Sequence, residues 1–427
     1  MPAAIYTPDE SAALALDERD PLRGFRERFH IPAAGAVGGR GGEPCIYLAG
    51  NSLGLMPKAT PGAVQQELDD WRTLAVEAHT SGRDPWFGYH EQFREVGARL
   101  VGAVPGEAVM MNSLTVNLHL LFVSFYRPTR ERYRIVIEDS AFPSDSYAVA
   151  SQARFHGLEP ADAVVRLRPR EGERTLRTED ILRAVADPSV ALVWLGAVNY
   201  LTGQWFQMEA ITRAAREAGA VAGWDLAHAA GNVPMKLHDW GVDVAAWCSY
   251  KYLSAGPGAV GGAFIHERHA QRPDLPRFAG WWGNDPATRF AMRPEFIPRE
   301  GADGWQVSNP PILSMAPLKT SLAIFAEAGM QALRLKSVQL TGYLEFLLRQ
   351  LAPRVQVVTP AEPDQRGCHL SLMVPGEGRA VLRGLKEAGI VCDFREPNII
   401  RAAPVPLYNT FHDVWRFASG LQRCLMP

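Results

Sequence analysis

Two neighbouring stretches, GWDLAHAAG (residues 223–231) and DVAAWCSYKYL (residues 243–253), decide the fold. Apolar residues lead up to Asp225 in the first stretch and up to Lys251 in the second. Short apolar runs of this kind are typical of the buried strands of a parallel sheet. The pattern therefore predicts an acid and an amine at the ends of two strands, about 26 residues apart along the chain.

An acid and a lysine in this arrangement suit pyridoxal 5'-phosphate (PLP). The aldehyde of PLP bonds to a lysine, and its ring nitrogen is kept protonated by a carboxylate. Tyr250 and Ser249 add hydroxyl groups beside Lys251. An Asp and a Lys also stand at strand ends in proteins that bind nothing there, because both are mostly surface residues. The apolar and neutral residues that precede Lys251 favour the cofactor hypothesis.

Strand-like and helix-like segments alternate from about residue 105 to residue 265. This alternation predicts an α/β fold with a doubly wound, mostly parallel sheet. Shorter alternating segments towards the C-terminus predict a smaller α+β domain. We predict three parts: residues 1–60, an N-terminal segment contributing to the small domain; residues 61–310, the large cofactor-binding domain; and residues 311–427, the C-terminal small domain.

The composition excludes several classes of partner. The chain has 427 residues and a formal net charge of −2, and no block of like charge favours nucleic acid or an anionic membrane. No apolar run approaches the length of a membrane span, and the N-terminus lacks a signal peptide pattern. Five cysteines without a metal-binding spacing indicate free thiols and a reducing compartment. We expect a cytoplasmic protein that binds small molecules, with no metal.

Two further segments suit a phosphorylated aromatic cofactor. The segment of residues 109–118 runs from a strand into a helix, so the amides of Leu114 and Thr115 would stabilise a phosphate at the helix N-terminus. An ordinary helix cap explains the same residues. Phe142 follows the strand predicted at residues 134–138, at the sheet edge where open α/β sheets bind ligands. Phe142 would stack on the cofactor there or simply pack.

Six motifs, in this order, resemble kynureninases, and the match runs from about residue 46 to the C-terminus. They are GNSLGL (50–55), NSLTVNLHLL (112–121), FPSD (142–145), DLAHA (225–229), WCSYKYL (247–253) and SNPPI (308–312). The resemblance implies an aspartate-aminotransferase-like, PLP-dependent transferase fold. It also implies a homodimer with active sites at the subunit interface.

The resemblance also implies roles for individual residues. Lys251 would bond to the cofactor and Asp225 would pair with its ring nitrogen, with His228 close by. The remaining cofactor-binding residues would be Leu114, Thr115 and Tyr250 around the phosphate, Trp281 and Asn309 from the partner subunit, Phe142 over the ring, and Ser144, Asp145 and Thr202 completing the site. The substrate would contact Asn51, His79, Ser308, Asn309 and Arg401, with Arg401 holding the α-carboxylate. From the sequence alone, Arg401 is as easily a surface arginine, and His79 a structural histidine.

The implied reaction is the hydrolysis of L-kynurenine or 3-hydroxy-L-kynurenine to L-alanine and an anthranilate by Cβ–Cγ cleavage. It would serve tryptophan breakdown or NAD supply. Lys251 would move the α-proton, and Tyr250 is a hypothetical acid–base for hydration of the ketone. His79, Ser308 and Asn309 resemble the residues of members that favour 3-hydroxykynurenine, whose buried ring hydroxyl needs a partner.

The alternative is another enzyme of the same fold, such as a cysteine desulfurase. That reaction needs a cysteine on a mobile loop. Cys368 is the candidate by its distance from Lys251, yet the segment of residues 368–374 is typical of the start of a strand. A regulator of this fold would need an added basic DNA-binding module, and the residues before Tyr47 are too few and too acidic to form one.

Overall fold

The protein is described by a computed structural model that covers residues 6–270, 272, 274–376 and 378–426. The strands in chain order are β1 (Ile46–Tyr47), β2 (Ala108–Met110), β3 (Arg134–Glu138), β4 (Val164–Leu167), β5 (Val190–Gly196), β6 (Val221–Asp225), β7 (Val244–Trp247), β8 (Gly262–Ile265), β9 (Gln356–Val357), β10 (Leu370–Met373), β11 (Ile390–Val391), β12 (Asp393–Arg395) and β13 (Ile399–Ala402). The α-helices are α1 (Glu10–Glu18), α2 (Thr60–Leu74), α3 (Arg94–Val101), α4 (Leu114–Phe125), α5 (Pro143–Phe155), α6 (Pro160–Ala163), α7 (Thr178–Val185), α8 (Met208–Glu217), α9 (Glu267–Ala270), α10 (Ile312–Ala328), α11 (Met330–Arg349), α12 (Gly378–Glu387) and α13 (Phe411–Leu425).

A seven-stranded sheet with the order β2-β8-β7-β6-β5-β3-β4 forms the centre of the large part of the molecule. The strands from β7 to β4 run parallel, whereas β8 runs antiparallel to both of its neighbours. Parallel strands need crossover connections, which the helices between them supply. The prediction of a doubly wound, mostly parallel sheet is confirmed.

Helices cover both faces of this sheet, which explains its continuous apolar strands. On one face, Phe122 of α4 packs edge-on against Trp194 of β5, with ring centroids 4.9 Å apart. On the other face, the indole N–H of Trp224 in β6 donates to the hydroxyl of Thr212 in α8 at 3.0 Å. The large buried side chains thus hold the sheet between two helical layers and define where each strand ends.

The position of Lys251 differs from the prediction that it ends a strand. β7 ends at Trp247, and Lys251 follows in a turn, half-buried. The chain leaves the sheet because polar groups of Ser249 and Tyr250 form hydrogen bonds with residues outside β6 and β7. The Ser249 hydroxyl donates to the carbonyl of Val260 at 2.5 Å, and the amide of Gly54 donates to the carbonyl of Tyr250 at 2.8 Å. Lys251 is therefore held by the turn that joins β7 to β8.

A second, antiparallel sheet has the order β12-β13-β10-β9. Beside it, β1 pairs in parallel with β11, with Ile46 opposite Ile390, so the N-terminal segment meets the C-terminal one. α13, which the sequence analysis did not distinguish, is capped by the Thr410 hydroxyl and packs in the same core. The division at residues 60 and 310 stays a prediction, and residues 1–5, 271, 273, 377 and 427 lie outside the described ranges. Among the described helices, none is long and apolar enough to cross a membrane.

Candidate active site

A cavity of about 210 Å³ opens at the carboxyl ends of β3, β5 and β6. This edge of an open α/β sheet is where such folds bind their ligands. Nine of the predicted site residues line the cavity: Leu114, Thr115, Phe142, Ser144, Asp145, Asp225, His228, Tyr250 and Lys251. The fold thus brings together segments that are up to 137 positions apart in the chain.

Asp225 and Lys251 form the charged centre of the cavity. Asp225 ends β6 with only 8% of its surface exposed, and the amide of Ala227 donates to its Oδ1 at 2.7 Å. Burial raises the pKa of Asp225, and the Lys251 ammonium opposes that rise. The Lys251 Nζ lies 5.7 Å from the centroid of the Phe142 ring, which forms an aromatic wall beside the amine. An anionic carboxylate and an amine therefore share one buried space under a ring.

Asp145 stands behind Asp225. Its Oδ1 accepts a hydrogen bond from the Trp194 indole at 2.9 Å, and its Oδ2 has no partner among the described residues. Burial and the neighbouring Asp225 carboxylate raise the pKa of Asp145 well above its usual value. Two buried carboxyls at close range cannot both ionise at low cost. The raised pKa of Asp145 therefore favours its protonated form, and the Lys251 ammonium favours the charge on Asp225.

Glu138 is a third buried acid in the cavity, and the sequence analysis did not name it as a site residue. Its carboxylate accepts the amide N–H of Gly196 at 3.2 Å and an N–H of the Asn199 side chain at 3.4 Å. Burial raises the pKa of Glu138 to about 7. Its position as the last residue of a predicted strand was the available signal, because Asp225 occupies the same position on β6.

The N-terminus of α4 forms the opposite wall. Ser113 precedes the helix in an extended conformation, and its side chain makes no capping hydrogen bond to the described chain. The first amides of the helix, from Leu114 and Thr115, therefore stay available to a ligand. Because free amides and the helix dipole both favour negative charge, this wall suits a phosphate.

Three aromatic side chains line the remaining side. Tyr200 meets Phe142 edge-on at 5.2 Å between ring centroids and lies 6.5 Å from the His228 ring. Burial lowers the pKa of His228 well below its usual value, and the charges of Lys251 and Arg401 add to this effect. His228 is therefore a neutral imidazole. Tyr200 is a cavity residue that the sequence analysis missed, since nothing in its local pattern sets it apart from other loop tyrosines.

Tyr250 remains a proton donor in this environment. Burial raises the pKa of its hydroxyl, and the adjacent Cys248 thiol raises it further. The phenol thus keeps its proton across the physiological range and contributes a neutral O–H beside Lys251.

Arg401 is buried and lies next to the cavity without lining it. One guanidinium nitrogen donates to the carbonyl of Tyr200 at 2.6 Å, and another pairs with Asp393 at 2.5 Å. The same nitrogen approaches the hydroxyl of Ser52 at 3.3 Å. Of the two readings left open by the sequence, the structure therefore supports a buried arginine. The neighbouring Asn51 is also fully buried, and its side-chain amide has no partner within the described ranges.

Thr202 does not line the cavity. Its hydroxyl donates to the Asn199 Oδ1 at 3.1 Å and accepts the amide N–H of Gln204 at 3.2 Å. Both contacts stabilise the turn after β5. In this chain Thr202 shapes the loop that carries Tyr200 and Asn199 and does not itself face the ligand space.

An exposed surface outside the cavity, which we call the aromatic face, consists of His79, Phe87, Trp281 and Phe290. Four predicted residues lie on or beside this face: His79, Trp281, Ser308 and Asn309. The His79 ring is 5.0 Å from the Phe87 ring, and the Trp281 ring is 5.5 Å from the Phe290 ring. Trp281 is 46% exposed. The remaining two predicted residues, Ser308 and Asn309, are exposed and follow Val307, which packs against Gly280.

Comparisons with known proteins agree on one family. Residues 333–421 match the family model of the kynureninase C-terminal domain. The chain is 57% identical to the kynureninase of Myxococcus xanthus over 421 residues, covering 98% of both chains. It is 58% identical to that of Salinispora tropica over 419 residues, covering 97% of this chain and 96% of the relative.

Among solved structures, the cysteine desulfurase CsdA from Escherichia coli superposes with a TM-score of 0.74 at 18% identity, covering 99% of both chains. This likeness concerns the fold alone. Cys368 differs from a mobile loop cysteine: it is buried directly before β10, and its amide donates to the Asn232 Oδ1 at 2.8 Å. Burial raises the pKa of its thiol to about 12, so it carries no reactive thiolate.

Proposed function

The chain belongs to the kynureninase family, and we propose that it hydrolyses 3-hydroxy-L-kynurenine in preference to L-kynurenine. As a family member it is a PLP-dependent hydrolase that cleaves kynurenine. The products we propose are L-alanine and 3-hydroxyanthranilate, or anthranilate from the unsubstituted substrate. The observation that supports PLP-dependent cleavage is the buried Asp225 beside Lys251, in a cavity closed on one side by an uncapped helix N-terminus. The preference for the hydroxylated substrate rests instead on the polar residues beside the aromatic face.

The residues of the cavity fit PLP on three sides. Lys251 would bond to the aldehyde, and the anionic Asp225 would pair with the ring nitrogen. The amides of Leu114 and Thr115 would hold the phosphate, and Phe142 would lie over the ring. The support for this placement is chemical: each part of PLP meets a group of opposite charge or matching shape, while Asp145 keeps its proton and so does not add a second negative charge.

The proton transfers follow from the states of the side chains. Bound PLP would draw electrons from the bonds of the substrate α- and β-carbons. The Lys251 amine, released from the cofactor, would take the α-proton. The phenol of Tyr250, held protonated by burial, would donate a proton to the γ-ketone oxygen during hydration and regain one from the attacking water. During cleavage it would donate to the β-carbon of the departing alanine and regain a proton from the hydrate hydroxyl. Because His228 is neutral, it would orient groups without adding positive charge beside the amine.

Arg401 would bind the α-carboxylate of the substrate. Its guanidinium is already desolvated and fixed by the Tyr200 carbonyl and by Asp393, so little freedom is lost on binding. The Arg401 Nε has no partner among the residues described, which leaves one donor for a carboxylate oxygen. The unpartnered amide of Asn51 would serve a second polar group of the substrate.

We further propose that two chains share each active site. His79, Trp281, Ser308 and Asn309 stand outside the cavity of their own chain, on or beside an exposed apolar surface. Exposed patches of this kind mark interaction sites, and the commonest soluble oligomer is a symmetric dimer. In such a dimer the aromatic face of one chain would close the cavity of the other and complete the phosphate site with Trp281 and Asn309.

Mixing an inactive variant with an impaired one tests the shared site. Chains with Lys251→Arg and chains with Trp281→Ala, unfolded together and refolded at equal amounts, should regain about a quarter of wild-type activity through random pairing. The matched control pairs Lys251→Arg with Asp225→Ala. Both of these residues lie in the same cavity, so no native site can form and activity should stay absent. Failure of the first mixture to regain activity would contradict a shared site.

The preference for 3-hydroxykynurenine depends on the polar residues beside the aromatic face. A ring hydroxyl that is buried on binding needs a hydrogen-bond partner, which His79 or Asn309 would supply. We expect kcat/KM to be higher for 3-hydroxykynurenine than for kynurenine. His79→Trp should shift the ratio of the two values by about 10-fold towards kynurenine. His30→Trp, at an exposed histidine, is the control and should leave the ratio unchanged. Equal or higher kcat/KM for kynurenine in the wild type would refute the preference.

A further inference from the structure

Three potential metal ligands meet at the end of the large sheet that lies away from the cavity. Glu107 directly precedes β2, whereas α4 and its phosphate-binding amides follow β2. His266 follows β8, which runs antiparallel to β2, so it lies at the same end as Glu107. His238 comes from the loop between β6 and β7. One ligand atom from each of the three residues lies within 4.8 Å of the other two.

Both imidazoles face the same carboxylate oxygen. The Nδ1 atoms of His238 and His266 lie 3.0 Å and 3.2 Å from the Glu107 Oε1. The two rings are stacked, with centroids 5.0 Å apart and an angle of 26° between their planes. Tetrahedral coordination by ligands at about 2.0–2.2 Å from a zinc ion separates neighbouring ligand atoms by roughly 3.3 Å. The two nitrogen–oxygen separations are slightly shorter than that spacing, and the two imidazole ligand atoms lie within 4.8 Å of each other.

Glu107 is rigidly held. It is 0% exposed, and its two oxygens accept the backbone N–H groups of Val104 at 3.1 Å and Glu267 at 2.8 Å. Such outer contacts orient a ligating carboxylate and are typical of metal sites. The His238 side chain is 30% exposed, which leaves the site open to a water molecule as a further ligand.

The contact between His266 and Glu107 points to a cation. The His266 Nδ1 accepts the backbone N–H of Arg268 at 3.4 Å, so in this tautomer the nitrogen carries a lone pair and no proton. Two acceptor atoms at 3.2 Å in a buried place repel each other unless a positive ion lies between them. The hydrogen bond from the Arg268 amide to the His266 Nδ1 is long, so a cation can bind the lone pair of that nitrogen instead.

We propose that Glu107, His238 and His266 bind one divalent transition-metal ion of the zinc class. Two imidazoles, one carboxylate and an open position suit Zn²⁺ and its neighbours in the first transition row. The ion would tie the segment before β2 to the end of β8 and to the loop that carries His238. Since this site stands at the opposite end of the sheet from Lys251, its role is stability of the fold and not the cleavage of kynurenine.

The test is Zn²⁺ binding by the PLP-loaded protein after treatment with a chelator. Equilibrium dialysis with metal analysis should give one equivalent of Zn²⁺ per chain in the wild type, and Zn²⁺ should raise the unfolding temperature. His238→Ala removes a partly exposed ligand and should weaken binding by about 100-fold or more and abolish the thermal shift. Glu107→Gln, which keeps the shape but removes the charge, should do the same.

His30→Ala is the matched control, because it removes an exposed histidine elsewhere and should bind Zn²⁺ like the wild type. Ions bound at the cofactor cavity or at scattered surface histidines would persist in His238→Ala. The assignment is therefore overturned by equal binding in wild type and His238→Ala, or by the absence of binding in the wild type. Turnover of kynurenine should be the same with and without chelator.

Discussion

The cofactor cavity and the aromatic face carry residues predicted for the same active site, yet they differ in burial. Asp225 in the cavity is 8% exposed, whereas Trp281 and Phe290 on the aromatic face are 46% and 52% exposed. The residues that line the cavity come together within one chain because most of them stand at the carboxyl ends of strands of one sheet. The aromatic face finds no cover among the described residues of its own chain. In the proposed dimer, a single chain would build one part of its site and offer the other part to a second copy.

The two regions also differ in electrostatics. Three acids, Glu138, Asp145 and Asp225, are buried in the cavity at a desolvation cost that raises the pKa of each. Proteins retain such costly groups mainly at functional sites. The aromatic face instead exposes apolar surface, which is unfavourable in water until it is covered. Each region therefore lowers the stability of the isolated chain. Binding of a ligand in the cavity, or of a partner on the aromatic face, would reduce that cost.

The largest effect should come from the amine of the cavity. Lys251→Arg keeps a positive charge but removes the group that bonds to PLP and moves the α-proton, so kcat should fall by roughly 10⁴-fold. The visible absorbance of lysine-bound PLP should vanish as well. Fluorescence of the anthranilate product measures the first effect and a spectrum the second. Lys236→Arg, at an exposed lysine, is the control. Intact turnover in Lys251→Arg would invalidate the whole assignment of the cavity.

A medium effect should appear in the pH dependence of the free energy of unfolding, through Glu138 in the cavity. The folded-state pKa of Glu138 is about 7, above its usual value of about 4.5. Between these two pH values the folded chain binds a proton that the unfolded chain does not, so this group's contribution to stability falls as pH rises. The loss should reach roughly 3 kcal/mol in the free energy of unfolding. Glu138→Gln, which still accepts the Gly196 amide, should remove this slope.

Urea unfolding of the cofactor-free chain between pH 5 and pH 8 measures the slope. The control is Glu131→Gln, at an exposed glutamate, which should keep the pH dependence of the wild type. If the free energy of unfolding depends on pH in the same way in the wild type and in Glu138→Gln, the prediction is wrong. That result would mean that the Glu138 carboxyl is already ionised at low pH.

The smallest of the three effects should come from the aromatic face. Trp281→Ala removes an exposed side chain that touches no cavity residue of its own chain, so the isolated chain should fold normally. If the face covers a second chain, kcat/KM should fall by about 10-fold and the dimer should dissociate more readily. Steady-state kinetics and sedimentation measure these effects. Phe155→Ala removes a more exposed aromatic residue at the far end of α5 and should change neither. An unchanged dimer and unchanged kinetics in Trp281→Ala would refute the role of this face.

Most of the cavity was predictable because its residues stand at ends of apolar segments. Asp225, Phe142 and the helix start at Leu114 all follow this pattern, since a strand or helix boundary is a local property of the chain. Glu138 also stands at the end of an apolar segment, but the sequence analysis did not name it as a site residue. The prediction that Lys251 ends a strand was wrong: β7 ends four residues earlier, at Trp247, and hydrogen bonds to Val260 and Gly54 hold the following residues outside the sheet.

The sequence by itself determined the alternation of strands and helices, the doubly wound sheet and the edge at which the acid and the amine meet, because these depend on local periodicity and on the direction of parallel strands. Only the tertiary structure decided that Arg401 is buried against Asp393, that Thr202 serves a turn, and that Glu107 faces His238 and His266. Contacts between side chains far apart in the chain depend on how elements pack in three dimensions, and no local pattern records that packing.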